Sequence, residues 1–428
     1  MLSIFIAVAQ IFVDSGFSTA LMRKNNRTQL DCSTVFYFNI AIGVVSYIVL
    51  YLIAPYVADF YNLPELKPIL RVSSIIIVIG STAGVHRTLF TARMDFKSIA
   101  KFNILALIIS GCIGIYLAYH DFQVWALVIH TIVSTTVNTL LIWHYSPWRP
   151  TLQFSFPSLK VFFGFGSKLL ASGLLDTIYS NMYSVVIGKL FPPADLAYYN
   201  RASSLKTLTS TTPTQVLQSV TFPALCKIQD SNETLKMAYR RMLRISAFVI
   251  FPLCLGLGAV SFPLINVLYT DVWILAAPLL QIIVFSGMWY PIHAINLNLL
   301  QVKGRSDLFF RLEIIKKILG VLMLCITVPF GLEAMCYGSV VNSLIALIIN
   351  THYTGKLLDL GFFTQIKDLL PSLILSLCMF VVCTLLSTIM GNGIVSLIVS
   401  VLAGVVLYAG GAIIFRFPEF KELKEIRK

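Results

Sequence analysis

The 428-residue chain is 57% apolar and only 12% charged, with a formal net charge of +13 and a mean hydropathy of +0.83. That balance excludes a set of soluble domains, whose surfaces need far more charge, and places the chain among polytopic membrane proteins. It also argues against a nucleic-acid partner, because the cations stand in short clusters between apolar runs, the pattern that orients a protein in a membrane.

About 20 apolar residues cross a bilayer, and backbone inside the hydrocarbon must be helical or shielded. Thirteen runs fit, at 1–22, 33–58, 67–91, 98–119, 123–144, 160–190, 195–226, 242–269, 274–301, 308–329, 332–353, 368–390 and 393–416. The first, within "MLSIFIAVAQIFVDSGFSTALMRKNNR", is not a cleavable signal peptide, because its cations follow the apolar stretch and no small-residue cleavage site closes it.

The connections between runs alternate in charge. One set carries Arg23, Lys24 and Arg27, then Arg93, Lys97 and Lys101, Arg149 and Lys160, and Lys227 with Lys236, Arg240, Arg241 and Arg244. It continues with Lys303, Arg305, Arg311, Lys316 and Lys317, then Lys356 and Lys367, and the tail from Arg416. The other set has only Lys67 and Lys189. The basic side is therefore expected to be cytoplasmic, with the C-terminus on it. Each connection on the opposite side is short, which leaves no outer domain to house an active site.

Internal similarity adds a second constraint. "APYVADFYNLPELKPIL" resembles "SFPLINVLYTDVWILAAPLL": Pro55 and Tyr61 keep the spacing of Pro263 and Tyr269, and the "PIL" at Pro68 recurs as "PLL" at Pro278. "RMDF" at Arg93 recurs as "RSDL" at Arg305. The offset spans six runs, and an even number keeps the two copies in the same orientation, so the repeats are expected to be parallel. Pairing each run with the sixth after it leaves the run around Asp176 without a mate. The mate would precede Met1, so a fourteen-helix architecture lacking its first helix is the expectation.

After the loop charges are set aside, Arg71, Arg87, Lys168, Arg201, Lys206, Asp14 and Asp176 remain inside runs. Each costs roughly 2.5–3.5 kcal/mol at mid-bilayer on insertion scales, so seven facing lipid would cost on the order of 20 kcal/mol. That exceeds a stability of about 5–15 kcal/mol, so most must face water, pair, or snorkel. Polar residues recur on their faces: Lys168, Ser172, Asp176, Tyr179 and Tyr183 form one stripe, and Gln10, Asp14 and Ser18 another. Lys206, Thr209, Ser210 and Pro213 form a third, with a Ser/Thr-rich helix interface as the competing reading. Five cations against two anions favour an anionic passenger, and a fork and a point charge both suit phosphate.

Pro213, Pro252, Pro263 and Pro291 each delete a backbone hydrogen bond and are expected to bend their helices. His86, His130 and His293 are read as interhelical histidines ahead of proton relays. The eight cysteines include no CxxC pair, so neither a metal nor a disulfide framework is expected. No phosphate-binding GxxxxGK[ST] loop is present, and no cofactor is expected. Asn26 and Asn232 fit the glycosylation pattern but fall on the basic side.

The segments "FGFGSKLLASGLLDTIYSNMYSVVIGKLF", "LAYYNRA" and "VTFPALCKIQDSNETLKMAYRRMLR", with "DSGFSTALMRKN", resemble the polysaccharide transporter family, the Wzx-type flippases of the colanic-acid transporter kind, within the multidrug/oligosaccharidyl-lipid/polysaccharide exporter superfamily. The resemblance covers essentially the whole chain. It implies an all-α polytopic protein of two parallel six-helix lobes around a central cavity. The lobes would be residues 1–150, lacking the first helix, and 151–360, followed by a helix pair and basic cytoplasmic tail at 361–428.

The implied function is non-enzymatic: moving undecaprenyl-pyrophosphate-linked oligosaccharide units across the bacterial inner membrane by alternating access, for surface polysaccharide such as O-antigen, capsule or exopolysaccharide. The implied partners are the lipid-linked oligosaccharide, membrane lipid, and polymerase or glycosyltransferase proteins. By type and position Arg71, Arg87, Lys168, Arg201 and Lys206 are the substrate-binding candidates, with Asp14 and Asp176 as ion-pair or coupling groups. Three rivals stand beside this reading. A drug exporter would carry more intramembrane acid than base, the opposite of what is present. A peptidoglycan lipid-precursor flippase shares the chemistry. A polysaccharide polymerase or ligase would need a sizeable outer loop.

Overall fold

The computed structural model describes the chain at residues 3–14, 21, 27–93, 95–228, 231–303, 305–420 and 422. The described residues are almost wholly helical and include no strand. Contacts divide the chain into two compact units, Met1–Leu190 and Phe191–Lys428.

The first unit holds α1 (Ser3–Asp14), α2 (Gln29–Tyr61), α3 (Leu66–Ser73), α4 (Ile75–Ala92), α5 (Phe96–Tyr119), α6 (Gln123–Tyr145) and α7 (Phe156–Leu190). A reciprocal cap starts α2: Thr28 Oγ1 accepts from Asp31 N (3.2 Å) while Asp31 Oδ2 accepts from Thr28 N (3.0 Å). Asp95 caps α5 by accepting from Ser98 N (3.1 Å). Its bonds with Ser98 hold that carboxyl below the usual carboxylate range.

The second unit holds α8 (Pro193–Thr209), α9 (Thr211–Lys227), α10 (Asn232–Ala259), α11 (Ser261–Tyr269), α12 (Ala276–Gly287), α13 (Tyr290–Val302), α14 (Ser306–Thr327), α15 (Leu332–Leu358), α16 (Phe362–Met390) and α17 (Ile394–Ile414). α16 packs along α10 with α17 beside it, and Phe251, Leu243 and Tyr239 of α10 are fully buried. At one end three arginines of α10 clamp neighbouring carboxylates. Arg240 Nε and Nη2 grip both oxygens of Asp368 (2.6 and 2.5 Å), Arg241 meets Glu422 (2.8 Å), and Arg244 meets Glu419 (3.3 Å).

Nine of the thirteen predicted runs are long and apolar enough to span a membrane among the described residues. The opening run is helical over Ser3–Asp14 as α1, and residues 15–20 and 22 lie outside the described residues. The runs at 160–190, 195–226 and 308–329 are helical as α7, α8 with α9, and α14, but fall outside those nine.

The predicted repeat has matching geometry in the two units. α2 ends at Tyr61 and α11 at Tyr269, and the next residue has positive φ in both, Asn62 at 54° and Thr270 at 73°. The following helices, α3 and α12, each carry proline at the third position, Pro68 and Pro278.

Three of the four flagged prolines break their helices outright. α8 ends at Thr209, α10 at Ala259 and α12 at Gly287, each four residues before Pro213, Pro263 or Pro291. That residue's carbonyl is the one a proline ring crowds and cannot bond. Pro252 stays inside α10, as do Pro55 in α2 and Pro371 in α16.

Side chains take over the orphaned carbonyls. Tyr408 Oη donates to Phe248 O (2.8 Å), four residues before Pro252, and Ser387 Oγ donates to Ala259 O (3.3 Å), four before Pro263. Arg71 Nε donates to Tyr51 O (3.2 Å), four before Pro55. Breaks in membrane helices persist where neighbours satisfy the freed backbone in this way.

Candidate functional site

The candidate cations occupy different settings. Arg71 ends α3 with its guanidinium 4.0 Å over the Tyr51 ring, in addition to its bond to Tyr51 O. Arg87, near the far end of α4, donates from Nη2 to Asn138 Oδ1 of α6 (3.1 Å), and Asn138 Nδ2 donates to Asn103 Oδ1 of α5 (2.7 Å). Sixteen residues of helix put these two arginines ~24 Å apart, so they do not share a site. Arg87 instead lines a cavity of about 530 Å³ with Asn103, Ser134, Thr135, Asn138 and Thr139.

In the second unit Arg201 and Lys206 stand on α8. Arg201 faces two rings, Tyr269 at 4.4 Å and Trp273 at 5.0 Å, and its Nε is buried without a hydrogen-bond partner among the described residues. A guanidinium on aromatic faces keeps its charge while accepting a weaker partner than a carboxylate.

Lys206 runs its methylenes against α12 at Gly287, where an added Cβ would come within 2.9 Å of its Cγ. The neutral thiols Cys254 of α10 and Cys336 of α15 lie near it, and it has no carboxylate partner among the described residues. Its own carbonyl accepts from Thr209 Oγ1 (3.0 Å), Ser210 Oγ (2.9 Å) and Ser210 N (3.0 Å), which turns the predicted Lys206–Thr209–Ser210 stripe into a capped helix end.

The side chains of Lys168 on α7 and Asp14 on α1 lie outside the described residues, as do those of Gln10 and Ser18. Asp176 is exposed on α7.

Two of the three histidines bond across helices. His86 Nδ1 meets Ser146 Oγ (2.8 Å) in a box of Phe36, Trp143 and Trp148, and His293 Nε2 meets Ser343 Oγ (3.1 Å). His130 packs its ring on Gly114 of α5.

Reading charges alone missed the amides within the runs. Asn296 exchanges bonds with Gln365 and accepts from Thr354 Oγ1 (2.6 Å) in the second unit, and the Asn103–Asn138 pair backs Arg87 in the first. The signal was present: a lone amide within an apolar run carries a desolvation cost unless it finds a partner. The second unit also contains an apolar cavity of about 550 Å³ between α10, α16 and α17, with Met379, Cys383 and Tyr408 in its walls.

The profile of a family described as "polysaccharide biosynthesis protein" matches residues 1–278. The teichuronic acid biosynthesis protein TuaB of Bacillus subtilis (strain 168) is 28% identical over 305 residues, 71% of this chain and 63% of that protein. The chain thus spans less than two thirds of that relative's length. The lipopolysaccharide biosynthesis protein WzxC of Escherichia coli (strain K12) is 24% identical over 371 residues, 86% of this chain and 73% of its own. Among solved structures, the lipid II flippase MurJ in an inward closed conformation superposes with a TM-score of 0.75 at 17% identity, covering 97% of this chain and 92% of that one. An inward-facing multidrug resistance MATE family transporter of the MOP superfamily gives a TM-score of 0.65 at 18% identity, covering 83% and 88%. At these identities the structural likeness speaks to the fold.

Proposed function

From the premise that the chain belongs to the polysaccharide biosynthesis protein family, we propose that it is a flippase. It moves undecaprenyl-pyrophosphate-linked oligosaccharide units from the cytoplasmic to the periplasmic leaflet of a bacterial inner membrane, by alternating access and without catalysing a reaction. Sugar polymerases and glycosyltransferases are its functional neighbours in this reading, and its C-terminus faces the cytoplasm.

The observation that carries the proposal is the pair of cations on α8. Arg201 and Lys206 are held inside a membrane protein with no carboxylate partner among the described residues. Such charges are costly and mark substrate pathways. A pyrophosphate crossing the bilayer needs just such groups, while its lipid tail stays in hydrocarbon. In this proposal Lys168 joins them, and Asp14 and Asp176 act as ion-pair or coupling groups. Arg71 is engaged with Tyr51 and serves the fold.

A peptidoglycan precursor is the second reading, favoured by the likeness to the lipid II flippase fold. The test is genetic complementation with Lys206→Glu and with Arg201→Glu plus Lys206→Glu. Surface polysaccharide should fall while membrane insertion and protein level persist. Normal output from a stable double variant sinks the assignment, and rescue of a peptidoglycan-precursor flippase deletion instead of a polysaccharide one selects the second reading.

A further inference from the structure

The amide chain behind Arg87 runs in one direction. Arg87 Nη2 donates to Asn138 Oδ1 (3.1 Å) and Asn138 Nδ2 donates to Asn103 Oδ1 (2.7 Å), so each amide oxygen already accepts one bond within the chain. Asn138 is buried and anchors the cluster from α6. The remaining N–H groups of the guanidinium and Asn103 Nδ2 are left as donors to the cavity, beside the hydroxyls of Ser134, Thr135 and Thr139. Arg87 makes no ion pair among the described residues. A wall that offers donors and a full positive charge selects an anion, and the planar guanidinium fork matches phosphate with two parallel bonds.

Size and surroundings narrow the anion further. The cavity, about 530 Å³, is many times the ~30 Å³ share of one water, so a lone inorganic ion would leave it mostly empty. Ile76, Ala106 and Leu107 give it apolar walls. Its flanks on α5 and α6 are exposed apolar side chains, Ile104 and Ile108 at 57% and Leu140 at 62%. In a bilayer such flanks face acyl chains. A ligand that reaches the cavity across them carries acyl chains together with its anion.

We propose that the Arg87–Asn138–Asn103 notch binds the phosphate of an anionic phospholipid, drawn from the leaflet at the Arg93 end of α4. Arg87 lies six residues, ~9 Å, from Arg93 along the helix axis. The three polar side chains bond one another on three helices, so the guanidinium is held in the notch and the headgroup comes to it. The notch is built wholly from the first unit and does not rest on the transport reading.

The experiment titrates the purified full-length protein in detergent with dioctanoyl phosphatidylglycerol, dioctanoyl phosphatidylcholine and inorganic phosphate, followed by calorimetry and native mass spectrometry. Phosphatidylglycerol should bind about tenfold or more tighter than phosphatidylcholine, as expected when a charge-assisted pair is unopposed by a choline. Arg87→Gln, which keeps an amide donor for Asn138 but removes the charge, should lower phosphatidylglycerol affinity about tenfold or more. Asn103→Leu, an exposed position on α5, should lower it several-fold without threatening the fold. Unchanged affinity in both variants, or equal binding of the two lipids, overturns the site. Inorganic phosphate binding as tightly as phosphatidylglycerol overturns a lipid as its source.

Discussion

Removing one hydroxyl from α17 tests whether the last helices brace the proline in α10. Pro252 offers no N–H to Phe248 O, and Tyr408 Oη fills the vacancy at 2.8 Å. Tyr408→Phe leaves the ring, which packs 5.3 Å from the Phe248 ring, and deletes only the donor. Tyr408 is 9% exposed and borders an apolar cavity, where water has too few polar partners to substitute. A net hydrogen bond is worth about 1 kcal/mol, and a buried carbonyl left unpaired costs about 1–3 kcal/mol. Side-chain bonds within membranes average nearer ~0.6 kcal/mol. The expected loss is therefore about 1–2 kcal/mol, a fall of a few degrees in Tm for a unit of this size, on the order of 2–4 °C per kcal/mol.

Ser372 and Ser376 stand near the phenol, so the single variant alone does not assign the cause. Pairing it with Pro252→Ala can, because alanine at that position restores the backbone donor. In that background Tyr408→Phe should cost less than half as much, read by thermal unfolding in detergent as a double-mutant cycle. An equal cost in the two backgrounds, or no cost in the parent, refutes the bracing role.

Arg71→Lys should keep a cation near Tyr51 but lose the Nε bond to Tyr51 O, lowering the stability of the first unit by about 1 kcal/mol; unchanged unfolding would return Arg71 to the list of binding residues. Gly287→Ala places a methyl 2.9 Å from Lys206 Cγ and 3.4 Å from Ser210 Cβ. That overpacking should cost about 1–3 kcal/mol and depress complementation alongside the Lys206 variants, and a stable, fully active Gly287→Ala protein would show the contact to be slack. Arg240→Ala should destabilise more than Arg241→Ala, because it strands Asp368 at 8% exposure whereas Glu422 retains 22%. About 1–3 kcal/mol is expected for the first, discounted for a partly exposed arginine, and under ~1 kcal/mol for the second; reversal of that order in unfolding midpoints would refute the burial argument.

Apolar length made the helical plan legible, and the paired tyrosines made the repeat legible. Tyr61 and Tyr269 each end a helix and precede a positive-φ residue, so a local motif survived in local geometry. The prolines were legible only halfway. Composition marks Pro213, Pro252, Pro263 and Pro291 alike, yet three end a helix and Pro252 does not. The donors that serve the freed carbonyls come from afar and were not legible: Tyr408, 160 residues on, for Phe248 O, and Ser387, 128 residues on, for Ala259 O.

The charged sites followed the same rule. Residue type and helical position picked out Arg71 and Arg201, but their partners are the Tyr51 ring and the Tyr269 and Trp273 rings, which no spacing along the helix announces. The amides behind Arg87 were overlooked because a neutral side chain in an apolar run attracts less notice than a charge, although it too must be satisfied.

Lys206 brings these threads together. It lies four residues before the α8–α9 break at Ser210, and its methylenes press on Gly287, the last residue before the α12–α13 break. Ser210 itself stands within 3.4 Å of the position a Gly287 Cβ would take. Two broken helices therefore meet at one point, and the cation sits at their junction. Broken membrane helices keep their open ends where side chains or a cavity can serve the freed backbone, and transporter folds place ion and substrate sites at such ends. Hydroxyls already serve this junction: Ser210 and Thr209 bond Lys206 O, and Ser343 Oγ donates to Ser286 O beside Gly287 (3.2 Å). The lack of a Cβ at residue 287 lets the Lys206 methylenes and Ser210 Cβ lie directly against that helix end. A charge held at such a joint is consistent with the proposed transport of an anionic headgroup, whose site such folds build at helix breaks.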